Sequence, residues 1–196
     1  MTAVTSGEHA PGVPLVPADA VRLAALVSVV AGGLGWGFVG FALFMLVLGG
    51  SMIPRALGAS AALDAAYSVS IVFAAWAAQL DWYAAVPWLD VVVHVAATGL
   101  VAAVVHFALV RVGALPAVDE PRLPRARLGG GLVTVALGLA LAVLWELGEW
   151  GGHTYLDDRI QVGYADTMGD LAAGLLGAVV AGLILARGAL LAGERR

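Results

Sequence analysis

Three short motifs in this 196-residue chain carry side chains that could do chemistry together. Asp90 and His94 stand four apart in "WLDVVVHVAATG". Glu146 and Glu149 stand three apart in "LWELGEWGGH", with His153 four further on, and Asp166 and Asp170 stand four apart in "ADTMGDLAAG". Spacings of three, four and seven put residues on one face of a helix, so each motif predicts a single polar stripe. One imidazole and several carboxylates, in a sequence with no cysteine, suit a hard or borderline divalent cation. Such an ion polarises a phosphoryl or ester oxygen, or activates water. In that scheme His94, Glu146, Asp170 and Asp90 are the metal ligands, and Glu149 or Asp166 is the general base.

These acids sit in a greasy chain. It is 61% hydrophobic and 12% charged, with a mean hydropathy of +0.94, whereas a soluble domain is about half apolar and a quarter charged. Ionisable groups inside a membrane span are costly, and each needs a reason. Helix N-termini favour acids, which is reason enough for Asp90 or Asp166 taken singly. Glu146 and Glu149 lie at the C-terminal end of their apolar run, the unfavourable end of the dipole. The three stripes together predict one converged polar cluster. The lack of cysteine excludes disulfides, thiolate nucleophiles and thiolate metal sites. No phosphate loop, nucleophile elbow or dinucleotide fingerprint is present.

Five apolar runs are long enough to span a bilayer, which takes roughly 20 residues in a helix. They cover about 21–48, 61–80, 87–112, 128–151 and 162–191, so the expected fold is an all-α transmembrane bundle in one domain. Residues 1–20, with three prolines, His9 and no apolar run, read as a flexible tail and a poor signal peptide. An odd number of spans puts Arg55, Arg111, Arg122, Arg125, Arg127, Arg187, Arg195 and Arg196 on one side, and Arg22 and Arg159 on the other. This is the positive-inside pattern, predicting an outer N-terminus and a cytoplasmic C-terminus in a cell (inner) membrane. All three acidic stripes then fall at the outer face. Because the basic residues act as topology determinants, nucleic acid is not an expected partner.

Other polar and small residues have plainer readings. His106 is about 18 Å along its helix from His94 and is expected to pack at the cytoplasmic end. Asp64, Tyr67 and Ser68 share a face and predict a local hydrogen-bond group in span two. Trp82, Trp88, Trp145 and Trp150 fall near the outer boundary as an aromatic belt. Gly174, Ala178 and Gly182 form a small-residue ridge that makes span five central. Gly33 and Gly37, at GxxxG spacing in span one, carry the expectation of a homodimer.

The order and spacing of Asp90-VVV-His94, Trp145-Glu146-LG-Glu149-Trp150 and Asp166-Thr167-MG-Asp170, with Gly174 and Gly177 beyond, resemble the YjdF-type inner-membrane family. The likeness covers about residues 81–190 and extends more loosely to VanZ-like membrane proteins. Here Val91 stands where an arginine often follows the first Asp, and Ala165 where an aromatic precedes Asp-Thr. The family also often has one more span near the N-terminus. The resemblance implies a multi-pass inner-membrane protein and no particular reaction.

Three functions remain open on the residues alone. The first is a metal-dependent enzyme acting on a lipid or lipid-linked substrate at the outer leaflet. The second is a proton-relay or transport component, since intramembrane Asp/Glu/His chains occur in such pathways. The third is a non-catalytic scaffold or resistance factor that binds a lipid headgroup or another membrane partner.

Overall fold

The computed structural model describes residues 15–187. His9, Arg195, Arg196 and the expected end of span five at 188–191 lie outside the described residues. The elements are α1 (Pro17–Leu57), α2 (Ala61–Gln79), the short α3 (Trp82–Ala85), α4 (Pro87–Arg111), α5 (Ala126–Tyr155) and α6 (Tyr164–Ala186). No strand occurs among the described residues. Five of these helices are long and apolar enough to cross a membrane, as expected.

The path of α1 differs from the expected single pass. At Gly37 the backbone leaves the helix, with φ +63° and ψ −142°, a conformation open to glycine and strained for other residues. The chain folds back there. A Cβ on Gly32 would lie 2.8 Å from the Gly40 carbonyl oxygen, and one on Gly33 would lie 3.6 Å from the Phe41 side chain. Further from the turn, the Arg22 Nε donates to the Ser51 carbonyl at 3.0 Å, and Arg55 faces Asp19 at 3.8 Å. In every pair the two residue numbers sum to about 74, the signature of an antiparallel hairpin centred on Gly37. Each arm has about 20 residues, or about 30 Å, enough to cross the hydrocarbon core by itself.

Several expectations are corrected. Arg22 lies at the same end of the bundle as Arg55, not opposite it. The end of α1 in turn neighbours the end of α4, because a Cβ on Gly58 would lie 3.8 Å from Arg111. The end of α6 joins them, with Ala186 beside Gly131 near the start of α5. The first and last described helix ends therefore share one end of the bundle, and the predicted outer N-terminus and cytoplasmic C-terminus do not hold as a pair. The GxxxG pair also loses its premise. Gly37 is the turn, so Gly33 and Gly37 form no continuous helical ridge for a partner copy. Residues 17–20, expected to belong to the tail, are helical. Proline suits the first helical turn, and the Asp19 carboxylate accepts from the Val16 N–H at 2.9 Å, so the helix starts at Pro17.

The hairpin closes onto α2. Phe44 and Trp76 stack at 4.9 Å between ring centres, with Val29, Val47 and Ala75 around them. Trp76 Nε1 donates to Ser28 Oγ at 2.9 Å. At the arginine-rich end, the buried Arg22 guanidinium pairs with Asp64 of α2 and with Asp19. Asp64 and Ser68 form the local group expected for span two, and Arg22 supplies its counter-charge.

The other half of the molecule is built around α6, as its small-residue ridge predicted. Gly177 meets Gly99 and Val95 of α4, and Gly174 meets Thr98 of α4 and Ala142 of α5. Ala178 faces Gly138, and Gly182 faces Gly131, both on α5. Without side chains between them the backbones approach closely, which is how helices associate where lipid supplies no hydrophobic drive. That closeness fixes the register of α4, α5 and α6, and hence the relative heights of their polar residues.

Candidate functional site

Asp90 lies in the first turn of α4, and its neighbour His94 lies one turn deeper. Asp166 occupies the first turn of α6, with the buried Asp170 one turn below. The N-terminal dipoles of both helices favour these acids. Glu146 and Glu149 come from α5, which runs on to Tyr155. They are thus about 13 Å and 9 Å from that helix end, deeper than the expected end at residue 151 allowed.

The Asp90, His94 and Asp170 side chains meet. His94 Nδ1 is 3.1 Å from Asp90 Oδ1 and 3.3 Å from Asp170 Oδ1, and 3.2 Å from the Asp90 carbonyl. Asp90 and His94 are partly open, while Asp170 is nearly covered. Glu146 is not one of this compact trio. Thr167, on the same turn as Asp166, stands beside its carboxylate, and the charges of Asp90, His94 and Asp166 all act on it. Glu149 receives a hydrogen bond from Trp145 and is within electrostatic reach of Glu146, Asp166 and Asp170. The three stripes therefore share one site, with an inner trio and an adjoining layer of two glutamates and Asp166.

His153, the remaining polar residue of the α5 stripe, does other work. Its Nδ1 donates to the Ile160 carbonyl at 2.7 Å, tying the α5–α6 connection back onto its helix. In that connection Arg159 makes two hydrogen bonds to the Asp157 carboxylate, at 3.0 and 2.7 Å. Arg159 holds the Asp157 carboxyl down at about 2.

Tyr83 of α3 joins the site without having been foreseen. It donates to the Ala74 carbonyl at 3.1 Å. Burial, with the nearby charges of Asp90, Glu149 and Asp170, pushes its phenol above the ordinary value. It therefore stays neutral, with its one hydrogen held by the Ala74 carbonyl. In the sequence, "DWYAA" reads as part of the aromatic belt, and nothing there marks Tyr83 as different. Thr167 did carry a signal, standing between the two acids of its motif.

A divalent cation fits the inner trio. One nitrogen and two carboxylate oxygens lie within 4.8 Å of one another. Ligands about 2.1 Å from a metal are separated by about 3.0–3.4 Å in octahedral or tetrahedral shells, and the observed 3.1 and 3.3 Å edges match. Without a cation, the same nitrogen can carry a proton shared between carboxylates.

The rim is aromatic. Trp82, Trp88, Trp145 and Trp150 are 39%, 66%, 44% and 52% exposed, as interfacial tryptophans near this end of the helices would be. A bundle of apolar helices, with acids and an imidazole gathered just inside one rim, defines a multi-pass membrane protein with an embedded polar site. The chain belongs to the DUF2238 family of predicted membrane proteins, the YjdF family, whose profile matches residues 23–189. No curated protein and no solved structure matches it.

Proposed function

We propose that the chain is a metal-dependent enzyme of the cytoplasmic (inner) membrane, acting on a lipid or lipid-linked substrate at the outer leaflet. The observation that supports this reading is the convergence of His94, Asp90 and Asp170, whose potential ligand atoms lie within 4.8 Å of one another. Among the described arginines, only Arg159 lies at the acidic end, so the positive-inside rule faces that end outward. The described N-terminal and C-terminal helix ends then both face the cytoplasm.

His94, Asp90 and Asp170 would hold a divalent cation, which would supply Lewis acidity toward a phosphoryl or ester oxygen. Glu146, beside Thr167, would be a further ligand or hold a bound water. Glu149 or Asp166 would take a proton from water at the site. The aromatic rim admits the headgroup while the acyl chains remain in the bilayer.

Metal analysis of the purified protein tests the reading. Stoichiometric metal is expected in the wild type, lost on chelation and in His94→Ala and Asp170→Asn. Hydrolysis of lipid phosphates or esters should follow the metal. Metal-free protein that stays folded and rejects Mn2+, Zn2+ and Mg2+ would sink the proposal. Glu149→Gln and Asp166→Asn then separate the two bases, because only the base variant should lose turnover while keeping its metal.

A further inference from the structure

At the arginine-rich end, a cavity of about 440 Å³ opens between the start of α5 and the 112–125 connection. That volume lies within the roughly 300–1,000 Å³ range of small-molecule sites. Leu115 and Leu123 of the connection and Val133 of α5 give it apolar walls. Two ionisable side chains line it. His106 is buried, 2% exposed, and engaged by Thr134 at 3.2 Å. Arg125, the N-cap residue of α5, is exposed and accessible. No carboxylate of the described residues is in the lining.

The cavity has a polar end and an apolar end. Val133 lies eight residues beyond Arg125, about 12 Å along the α5 axis. Arg125 precedes the apolar span and Val133 is inside it, so the charge sits toward headgroup level and the apolar walls toward the hydrocarbon. A bilayer lipid has the same polarity in the same direction. On the adjoining face of α5, Leu128 and Leu132 are 58% and 63% exposed, as a lipid-facing stripe is. Gly129 falls between that stripe and the cavity on the helical wheel. It is exposed, lines the cavity, and a Cβ there would meet nothing within 4 Å. The cavity thus borders the lipid-facing side of the helix.

Charge selects among lipids. Arg122, Arg125 and Arg127 fall within six residues, all exposed, and none makes an ion pair with a described residue. A guanidinium presents a fork of donors that matches phosphate. Asp119 and Glu120 belong to the same connection, but neither lines the cavity, so a headgroup ammonium gains no partner there.

We infer that this cavity holds one acyl chain of an anionic phospholipid from the adjoining leaflet, its phosphate at Arg125 and its chain directed toward Val133. The site is at the opposite end of α5 from the acidic cluster and stands whether or not that cluster is catalytic.

The test is photolabelling of the full-length protein in phosphatidylcholine vesicles. They carry a trace of either phosphatidylglycerol or phosphatidylcholine with a diazirine in one acyl chain, and the labelled residues are mapped by peptide mass spectrometry. Phosphatidylglycerol should label Leu115 and Val133 more strongly than phosphatidylcholine does. Arg125→Gln should cut that preference by about fivefold, the order expected for one arginine near an anionic lipid. Gly129→Leu should fill the space and abolish labelling of Leu115 and Val133 by either lipid, while the lipid-facing Leu144 stays labelled. The inference is overturned if the two lipids label Leu115 and Val133 equally, or if label is confined to Leu128 and Leu132. It is also overturned if the preference survives Arg125→Gln, or if labelling of Val133 survives Gly129→Leu. Labelling that appears only after residues 188–196 are deleted would make the chain's own C-terminal segment the occupant, and would overturn it too.

Discussion

Arg22 and Asp64 are both nearly covered where the α1 hairpin meets α2; removing Arg22 strands the Asp64 carboxylate in a low dielectric, whereas removing Asp64 leaves Arg22 paired with Asp19. Arg22→Met should destabilise the protein by about 3–5 kcal/mol. A double variant, Arg22→Met with Asp64→Leu, should recover most of that loss, because a buried ion pair is often no better than apolar packing. Thermal unfolding in detergent compares the three proteins. At the acidic cluster, Thr167→Val removes the hydroxyl beside Glu146. It should weaken metal binding by about tenfold without abolishing it, as loss of an orienting contact does. The Asp157 titration offers a pH readout outside the bilayer. Because Arg159 depresses its folded value to about 2, whatever stability the pair adds is present above the ordinary carboxylate range and disappears as pH falls toward 2. Carboxyl NMR should show that midpoint returning to the usual range in Arg159→Ala. The site acids themselves were legible in sequence because stripes of Asp, Glu and His are rare in apolar helices. Tyr83 was not, because an aromatic beside Trp82 near a helix end looks like any interfacial ring.

The helices depend on glycine for two different reasons. Gly37 supplies a backbone conformation, and Gly37→Ala should cost about 1–3 kcal/mol from the strained dihedrals alone, although its Cβ would meet nothing within 4 Å. Gly99 supplies proximity, because a Cβ there would lie 2.7 Å from the Gly177 carbonyl oxygen. Gly99→Ala should therefore force α4 and α6 apart at a cost of about 1–3 kcal/mol. Because α4 carries His94 and α6 carries Asp170, it should also weaken metal binding, whereas Gly148→Ala, which meets nothing, should do neither. The ridge of Gly174, Ala178 and Gly182 was readable as a spacing. The turn at Gly37 was not, since "GGLGWGFVG" is apolar throughout and has no proline or charge to mark a boundary. Pro54, which does look like a boundary, lies inside the second arm near its end.

Across the whole molecule, folding α1 back on itself decides which surfaces share a side. The sequence has no cysteine, so single-cysteine variants report accessibility without background. Gly35→Cys at the hairpin turn and Gln161→Cys in the α5–α6 connection should react with an impermeant maleimide added outside intact cells. Ala117→Cys and Gly58→Cys should react only after permeabilisation. Labelling of Gly35 from the cytoplasmic side would reject the hairpin topology. Labelling of all four in reverse would reject the assigned orientation.

The apolar content, the five long hydrophobic runs and the helical spacing of the acids were sufficient to establish an all-α membrane protein with polar stripes at one rim. Those properties are local: composition sets the solvent, and periodicity sets the face. Whether α1 crosses once or twice depends on one glycine's dihedrals and on Gly32 meeting Gly40, a contact visible only when both arms are in place. Likewise, only packing could sort the acids by depth, placing Asp90, His94 and Asp170 in one cluster and Glu146 beside Thr167. Helix register is set where backbones touch, at Gly99 with Gly177 and Gly131 with Gly182, and such contacts join residues far apart in the chain.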